Sequence, residues 1–120
     1  MSISESDWKK YKELRKLALD RFCQGVLAET RTVAQNGALS AHARYLTRYR
    51  LIGSRDKDMA MTFDGLSRKD AWLSLRLMVA HNLLTDAELS VLSDKMREII
   101  SDSVRQPYEI EWAEERVPDY

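Results

Sequence analysis

The chain has 120 residues, of which 44% are hydrophobic and 32% charged, a size and balance suited to one soluble globular domain. Its single cysteine, Cys23, excludes an intrachain disulfide and disfavours a cysteine-based zinc site. No apolar run approaches the roughly 20 residues that a membrane-spanning helix needs, and the polar first residues show no secretory signal. We therefore expect a cytoplasmic protein that does not enter a membrane.

The zero net charge conceals an uneven distribution along the chain. Residues 1–55 hold eleven Lys and Arg against five Asp and Glu, and residues 56–120 hold eight against fourteen, so the halves carry +6 and −6. Opposite charges of this kind favour packing of one half on the other, or a head-to-tail contact between two copies. We expect the first arrangement, with a homodimer as the alternative.

Hydrophobic spacing predicts two long helices in the first half of the chain. The first runs from about residue 4 to residue 36, where an Asn-Gly pair stops it. Gly25 lies inside this pattern, where either the close approach of another helix explains it or the helix simply tolerates it. The second helix follows Ser40 as its N-cap and covers about residues 41–63, either continuous or bent near Gly53.

The stretch 67–100 is the part around which the rest of the chain is organised. It predicts a third helix that is apolar nearly all round, and therefore central, ending in a turn at His81-Asn82. Thr85 and Glu88 form a capping box that opens a fourth helix reaching residue 100. The turn and capping box resemble the helix–turn–helix hairpin of many small bacterial proteins, a likeness that covers nine residues and implies no activity.

These elements predict an all-α fold, a mostly antiparallel four-helix bundle over residues 1–104. An acidic, aromatic-containing C-terminal tail follows over residues 105–120, with glutamates alternating between apolar residues. The tail, docked or partly extended, lies on its own bundle or meets a partner. The predicted core consists of Phe22, Val26, Tyr49, Ile52, Phe63, Trp72, Leu75, Val79, Leu92, Met96 and Ile99.

The strongest functional signal is the interleaving of arginine and tyrosine in the second helix. Arg44, Arg48 and Arg55 share one helical face by their spacing, and Tyr45 and Tyr49 lie between them in sequence. Such a face contacts phosphates and stacks on bases, unless the tyrosines face the core and the arginines pair with the acidic half. The sequence pI of about 6.7 argues against a dedicated nucleic-acid binder.

The sequence contains no recognisable catalytic or metal-binding motif. His42 falls in the first turn of a helix and His81 at a helix end, where favourable interaction with the dipole and the last carbonyl groups explains a histidine. A calcium loop starting at Asp56 fails, because Met61 and Ser67 occupy the positions that need glycine and glutamate. We therefore predict that the protein is not an enzyme and uses no cofactor or metal.

Together these features predict a small, non-catalytic helical protein of bacterial type that acts through protein–protein contacts as an adaptor or regulator. Its partner is an unidentified protein or a second copy. The alternative is a nucleic-acid-binding protein that uses the arginine face of the second helix and its tyrosines. The candidate binding residues are Arg44, Tyr45, Arg48, Tyr49 and Arg55, with Tyr108 and Trp112 from the tail.

Overall fold

All regular secondary structure in the described part of the chain is helical, which confirms the all-α class. A computed structural model describes residues 3–106 and 108–114, so part of the predicted tail (107 and 115–120) lies outside the described residues. Among the described helices, none combines the length and the apolar character that crossing a membrane requires.

Two long antiparallel helices form the body of the molecule. The first, α1 (Glu5–Gln35), begins where the Ser4 hydroxyl accepts a hydrogen bond of 3.1 Å from the Asp7 backbone N–H. The second, α2 (Ala41–Phe63), follows a short turn and runs without interruption through Gly53. The bounds of both helices agree with the sequence prediction to within two residues.

Three short helices follow, and they correct the prediction of a single fourth helix. The apolar α3 (Ala71–Ala80) ends at the predicted turn, where Asn82 adopts a positive φ of 59°. The predicted capping box is present and opens α4 (Asp86–Leu89). That helix stops after four residues, and Ser93 then caps a separate helix, α5 (Asp94–Ile100). The continuous helix was the wrong prediction because Ser93 offers its hydroxyl as a new N-cap.

The main hydrophobic core joins the first half of α1 to the three short helices. We call this part, residues 3–22 and 56–106, the base. Six predicted core residues are buried as expected: Phe22, Phe63, Leu75, Val79, Leu92 and Met96. The remaining buried members of the same cluster are Ile3, Tyr11, Leu14, Ala18, Ala71, Met78, Leu83, Leu84, Leu89 and Ile100.

The second half of α1 and the first part of α2, residues 23–55, project from the base as a two-helix arm. The molecule is therefore elongated, with principal extents of 62 × 24 × 22 Å and a radius of gyration of 17.7 Å. A compact domain of this length has a radius of gyration of about 13–14 Å. The arm buries Val33, Ala43 and Leu51, none of which belongs to the main core cluster.

The arm overturns two sequence expectations. Tyr49 and Ile52 were predicted in the core, yet they are 72% and 43% exposed. The reason is that α2 turns a mixed stripe inward, at the four-residue spacing Ala43, Thr47, Leu51 and Arg55, and thereby leaves Tyr49 and Ile52 on the outside. No helix approaches Gly25 closely either, since a Cβ placed there would meet nothing within 4 Å.

Candidate functional site

The exposed side of α2 carries an apolar stripe on the arm. Tyr45, Tyr49 and Ile52 follow one another at four- and three-residue steps and are 67%, 72% and 43% exposed. Together with Arg48 and Lys57 they line one shallow depression. We call these five residues the outer face of α2. Large apolar side chains clustered on a surface commonly mark interaction sites.

No carboxylate in the described part of the chain pairs with the cations of the outer face. Within the described residues, neither Arg48 nor Lys57 forms an ion pair, and the adjacent Arg50 forms none. Six other arginines do form ion pairs, for example Arg21 with Glu88, whose Nη1 and Oε1 atoms lie 2.6 Å apart, whereas Arg15 and Arg44 bond only backbone carbonyl oxygens. Asp56 continues the helical step of the tyrosines and adds one exposed carboxylate. The surface is therefore aromatic and net positive.

Arg55 does not lie on this surface, although its spacing predicted a common face with Arg44 and Arg48. Its side chain is buried, and two of its nitrogens bond the Glu29 carboxylate at 3.1 and 2.7 Å. The hydrogen bond to Glu29 raises the pKa of Arg55 against the opposing effect of burial. Arg44 has a third location, where its Nη1 donates to the Ala34 carbonyl oxygen at 2.8 Å. The predicted arginine face is divided into three environments.

The inner side of α2 holds the C-terminal segment 108–114 against the arm. The Arg55 guanidinium lies 3.9 Å from the centre of the Tyr108 ring and donates to the Glu109 carbonyl oxygen at 3.1 Å. Four residues later the Ala113 backbone N–H donates to the Thr47 hydroxyl at 2.9 Å. The segment therefore runs along α2 in an extended form.

A histidine–tyrosine pair fixes the start of this segment. The Tyr108 hydroxyl lies 2.9 Å from His81 Nδ1, and the two rings stack with their centroids 5.1 Å apart. Burial lowers the pKa of His81, and the positive charge of Arg55 lowers it further while Asp58 opposes the change. Burial and the Asp58 carboxylate raise the pKa of Tyr108. Both rings therefore remain neutral at pH 7.

The structure thus divides the seven predicted binding residues. Tyr45, Arg48 and Tyr49 share the outer face, and Arg55 and Tyr108 meet on the opposite side of α2. Trp112 lies apart from both groups, half-exposed beside Leu46 and Arg50. The remaining residue, Arg44, bonds the end of α1.

Sequence reasoning missed Glu29, Thr47 and His81, which hold the inner side together. Thr47 and Arg55 lie eight residues apart, which is two four-residue steps of a helix. This spacing was the available signal for an inward polar stripe. No sequence rule of comparable strength paired Glu29 with Arg55, because both lie in the positive half of the chain.

The described residues offer no group of three or more His, Cys, Asp and Glu side chains that could hold a metal ion. Exposed rings and cations lie on one side of α2, and buried polar groups lie on the other. The sequence matches no protein-family model, no curated protein and no solved structure.

Proposed function

We propose that this protein is a non-catalytic interaction protein, an adaptor or regulator, that binds a partner protein through the outer face of α2. The observation that carries the proposal is the exposure of Tyr45 and Tyr49 beside Arg48 and Lys57, two cations that pair with no carboxylate among residues 3–106 and 108–114. Tyrosine and arginine are enriched among the residues that dominate binding energy at protein interfaces. A stable single chain gains little from displaying both to water.

The charge of the outer face favours an acidic partner segment that also carries apolar side chains. Arg48 and Lys57 outnumber the neighbouring Asp56, so the surface attracts carboxylates and fixes their approach. A second copy is the alternative partner. A two-fold dimer that paired the outer faces would bring like charges together, which disfavours that arrangement relative to an acidic partner.

Nucleic acid is the second candidate ligand. The rings of Tyr45 and Tyr49 are accessible for stacking, and Arg48 and Arg50, which pair with no described carboxylate, lie beside them to meet phosphates. The support is weaker than the sequence pattern indicated, because Arg44 and Arg55 are engaged within the chain. Few remaining cations and a pI near 6.7 predict only weak, salt-sensitive binding.

Photo-crosslinking from the outer face in living cells tests the proposal. A photoreactive phenylalanine analogue replaces Tyr49, and a matched control places it at Glu98, an exposed residue of α5. We expect a protein adduct from position 49 that Arg48→Glu suppresses. Equal yields of the same adducts from positions 49 and 98 would refute an outer-face interaction.

The same experiment separates the candidate ligands. An adduct of twice the mass of the chain identifies a second copy, and an adduct sensitive to nuclease identifies nucleic acid. Anisotropy of labelled single- and double-stranded DNA and RNA at several salt concentrations provides the independent check. Steep weakening with salt that disappears in Arg48→Glu would favour the nucleic-acid function.

We also propose that α4 and α5 together take the place of the fourth helix of an antiparallel bundle. Their capping signals at Thr85 and Ser93 support the view of one helical layer interrupted by a turn. For location we propose the cytoplasm, because a lone cysteine, half-buried in α1, suits a reducing compartment.

A further inference from the structure

The groove on the inner side of α2 contacts both the main chain and the side chains of its occupant. The segment 108–114 has no regular secondary structure. It is held at two points by buried polar side chains, Arg55 to the Glu109 carbonyl oxygen and Thr47 to the Ala113 N–H. Main-chain contacts of this kind accept any extended peptide whose side chains fit between them.

Two depressions lie beside the segment among the residues that the structure describes. One depression lies between the segment and α2, lined by Arg50, Ser54 and Glu111 among others. Another lies at the far end, beside Trp112. The exposed Trp112 and the exposed glutamates 109 and 111 contribute little buried surface. The attachment of the segment to α2 therefore depends on a few contacts.

We propose that this groove is a binding site for an extended acidic segment of a partner protein, and that residues 108–114 occupy it as an internal competitor. The proposal goes beyond the function assigned to the outer face, because it concerns the opposite side of α2 and a different ligand. The chain's own segment shows the chemistry of the ligand that the groove accepts.

Two side-chain anchors set the specificity of the site. The Tyr108 ring packs on the Arg55 guanidinium, stacks on His81 and meets the edge of Phe22 with centroids 6.1 Å apart. Five positions later Ala113 is buried, so only a small residue fits there. Between these anchors Arg50 borders the glutamates and favours acidic residues. The ligand therefore carries an aromatic hydroxyl, acidic residues and then a small residue.

Preorganisation supports the site as a receptor. Glu29 holds Arg55 through two hydrogen bonds, and the Thr47 hydroxyl donates to the Ala43 carbonyl oxygen at 2.7 Å. None of these bonds involves the segment, so both binding groups are oriented before a peptide arrives. A site oriented in advance loses less conformational entropy on binding.

The test uses a fluorescein-labelled synthetic peptide of residues 105–114 and the full-length chain. In wild-type chain the internal segment competes, whereas Tyr108→Ser or Ala113→Asp weakens that competition without altering the groove. We expect either variant to bind the labelled peptide at least about tenfold tighter than wild type does, because the fraction of open groove rises. The peptide carrying the same Tyr108→Ser change is expected to bind weakly to every chain.

A groove variant provides the matched control. Thr47→Val keeps the shape of the side chain and removes the acceptor for the Ala113 N–H, so we expect about five- to tenfold weaker peptide binding when it is added to Tyr108→Ser. Equal peptide affinity in wild type and in both opened variants overturns the proposal. Loss of the helical circular-dichroism signal in both opened variants also overturns it, since the segment would then be an obligatory part of the fold.

The outer-face variant Tyr45→Ser with Tyr49→Ser separates this proposal from the proposed function. It is expected to leave the peptide titration unchanged, while removing any crosslinked partner of the outer face. A loss of peptide binding in this variant would show that the two faces form one site, and would overturn a separate groove.

Discussion

The base and the arm are stabilised by different physical means. In the base, a connected cluster of buried aliphatic and aromatic residues joins α1 to α3, α4 and α5. In the arm, the buried positions of α2 include Thr47 and Arg55, and the helices are joined by the Arg55–Glu29 pair instead of a continuous apolar core. The comparison indicates that fewer residues of the arm are needed for a packed core, so more of them are available for binding.

Both proposed binding surfaces lie mainly on the arm, and each reaches the adjoining edge of the base, at Lys57 on the outer face and at His81 beside the inner groove. A region with few buried apolar contacts opens locally at lower free energy than a packed core does, and such regions are commonly the ones that bind ligands. The outer face keeps its tyrosines out of the core, and the inner groove keeps its polar groups for main-chain atoms.

The largest expected effect is the truncation of a leucine in the base. Leu75→Ala removes a fully buried side chain of α3 and is expected to lower the free energy of unfolding by about 2–5 kcal/mol. The matched change in the arm, Leu51→Ala, is expected to cost less and to raise amide exchange within the arm alone. Urea denaturation and hydrogen exchange measure both. Equal losses would contradict the division into base and arm.

The second effect concerns the ion pair that replaces a core in the arm. Glu29→Gln removes the charge that compensates the buried Arg55, and we expect a loss of about 1.5–3 kcal/mol in urea denaturation. Glu13→Gln is the matched control, since the Glu13–Lys16 pair is exposed on both sides and is expected to contribute less than about 0.5 kcal/mol. A Glu29→Gln variant as stable as the control would show that the arm does not depend on this pair.

The same contrast explains how much of the fold the sequence revealed. The base follows rules that act locally: the capping box at Thr85, the left-handed turn at Asn82 and the apolar run of α3 were all recognisable, and all are present. The second break, at Ser93, was missed because the heptad-like stripe of Leu92 and Met96 continues across it. Periodicity alone does not distinguish a continuous helix from one that restarts in phase.

The arm was harder because its inward stripe is not its most hydrophobic one. The rule that apolar residues face inward assigned Tyr49 and Ile52 to the core, whereas α2 buries Thr47 and Arg55. Long-range pairing was equally hidden. Arg21 of the positive half pairs with Glu88 of the negative half, as the charge asymmetry suggested, but Arg55 finds Glu29 within its own half. Only the fold determines which carboxylate a buried arginine meets.

A third prediction uses pH to separate the docked segment from the base. The pKa of His81 is lowered from its ordinary 6.5, so docking is most stable above pH 6.5 and weakens as pH falls toward the folded-state pKa. Arg55 and Asp58 are the charged groups that face the ring. The protection factor of the Ala113 amide, corrected for its intrinsic exchange rate, is expected to decrease over this range. His81→Phe keeps a stacking ring without a titrating group and is expected to remove the decrease.

The stability of the base is expected to change only at lower pH. Burial alone would raise the pKa of Asp7, but hydrogen bonds from Ser93 and Ser4 and the charge of Lys10 lower it below 3.8. Its contribution is therefore present above pH 3.8 and is lost as pH falls through the lower folded-state value. Asp7→Asn is expected to flatten that part of the stability profile. A single transition shared by Ala113 and the base would contradict the separation.

The smallest expected effect comes from the glycines inside the arm helices. Gly25 lies four residues from Glu29 and Gly53 two residues from Arg55, so both weaken their helices close to the ion pair. A Cβ at either position would meet nothing within 4 Å, so alanine fits without displacement. We expect Gly25→Ala and Gly53→Ala each to stabilise the chain by about 0.5–1 kcal/mol, with slower amide exchange confined to the arm.

The reverse change at the exposed Ala28 of α1, Ala28→Gly, serves as the control and is expected to lower the free energy of unfolding by a similar amount. If alanine at 25 or 53 instead lowers the stability, the arm requires a flexible helix at that position. The ion pair alone then does not account for the low stability of the arm.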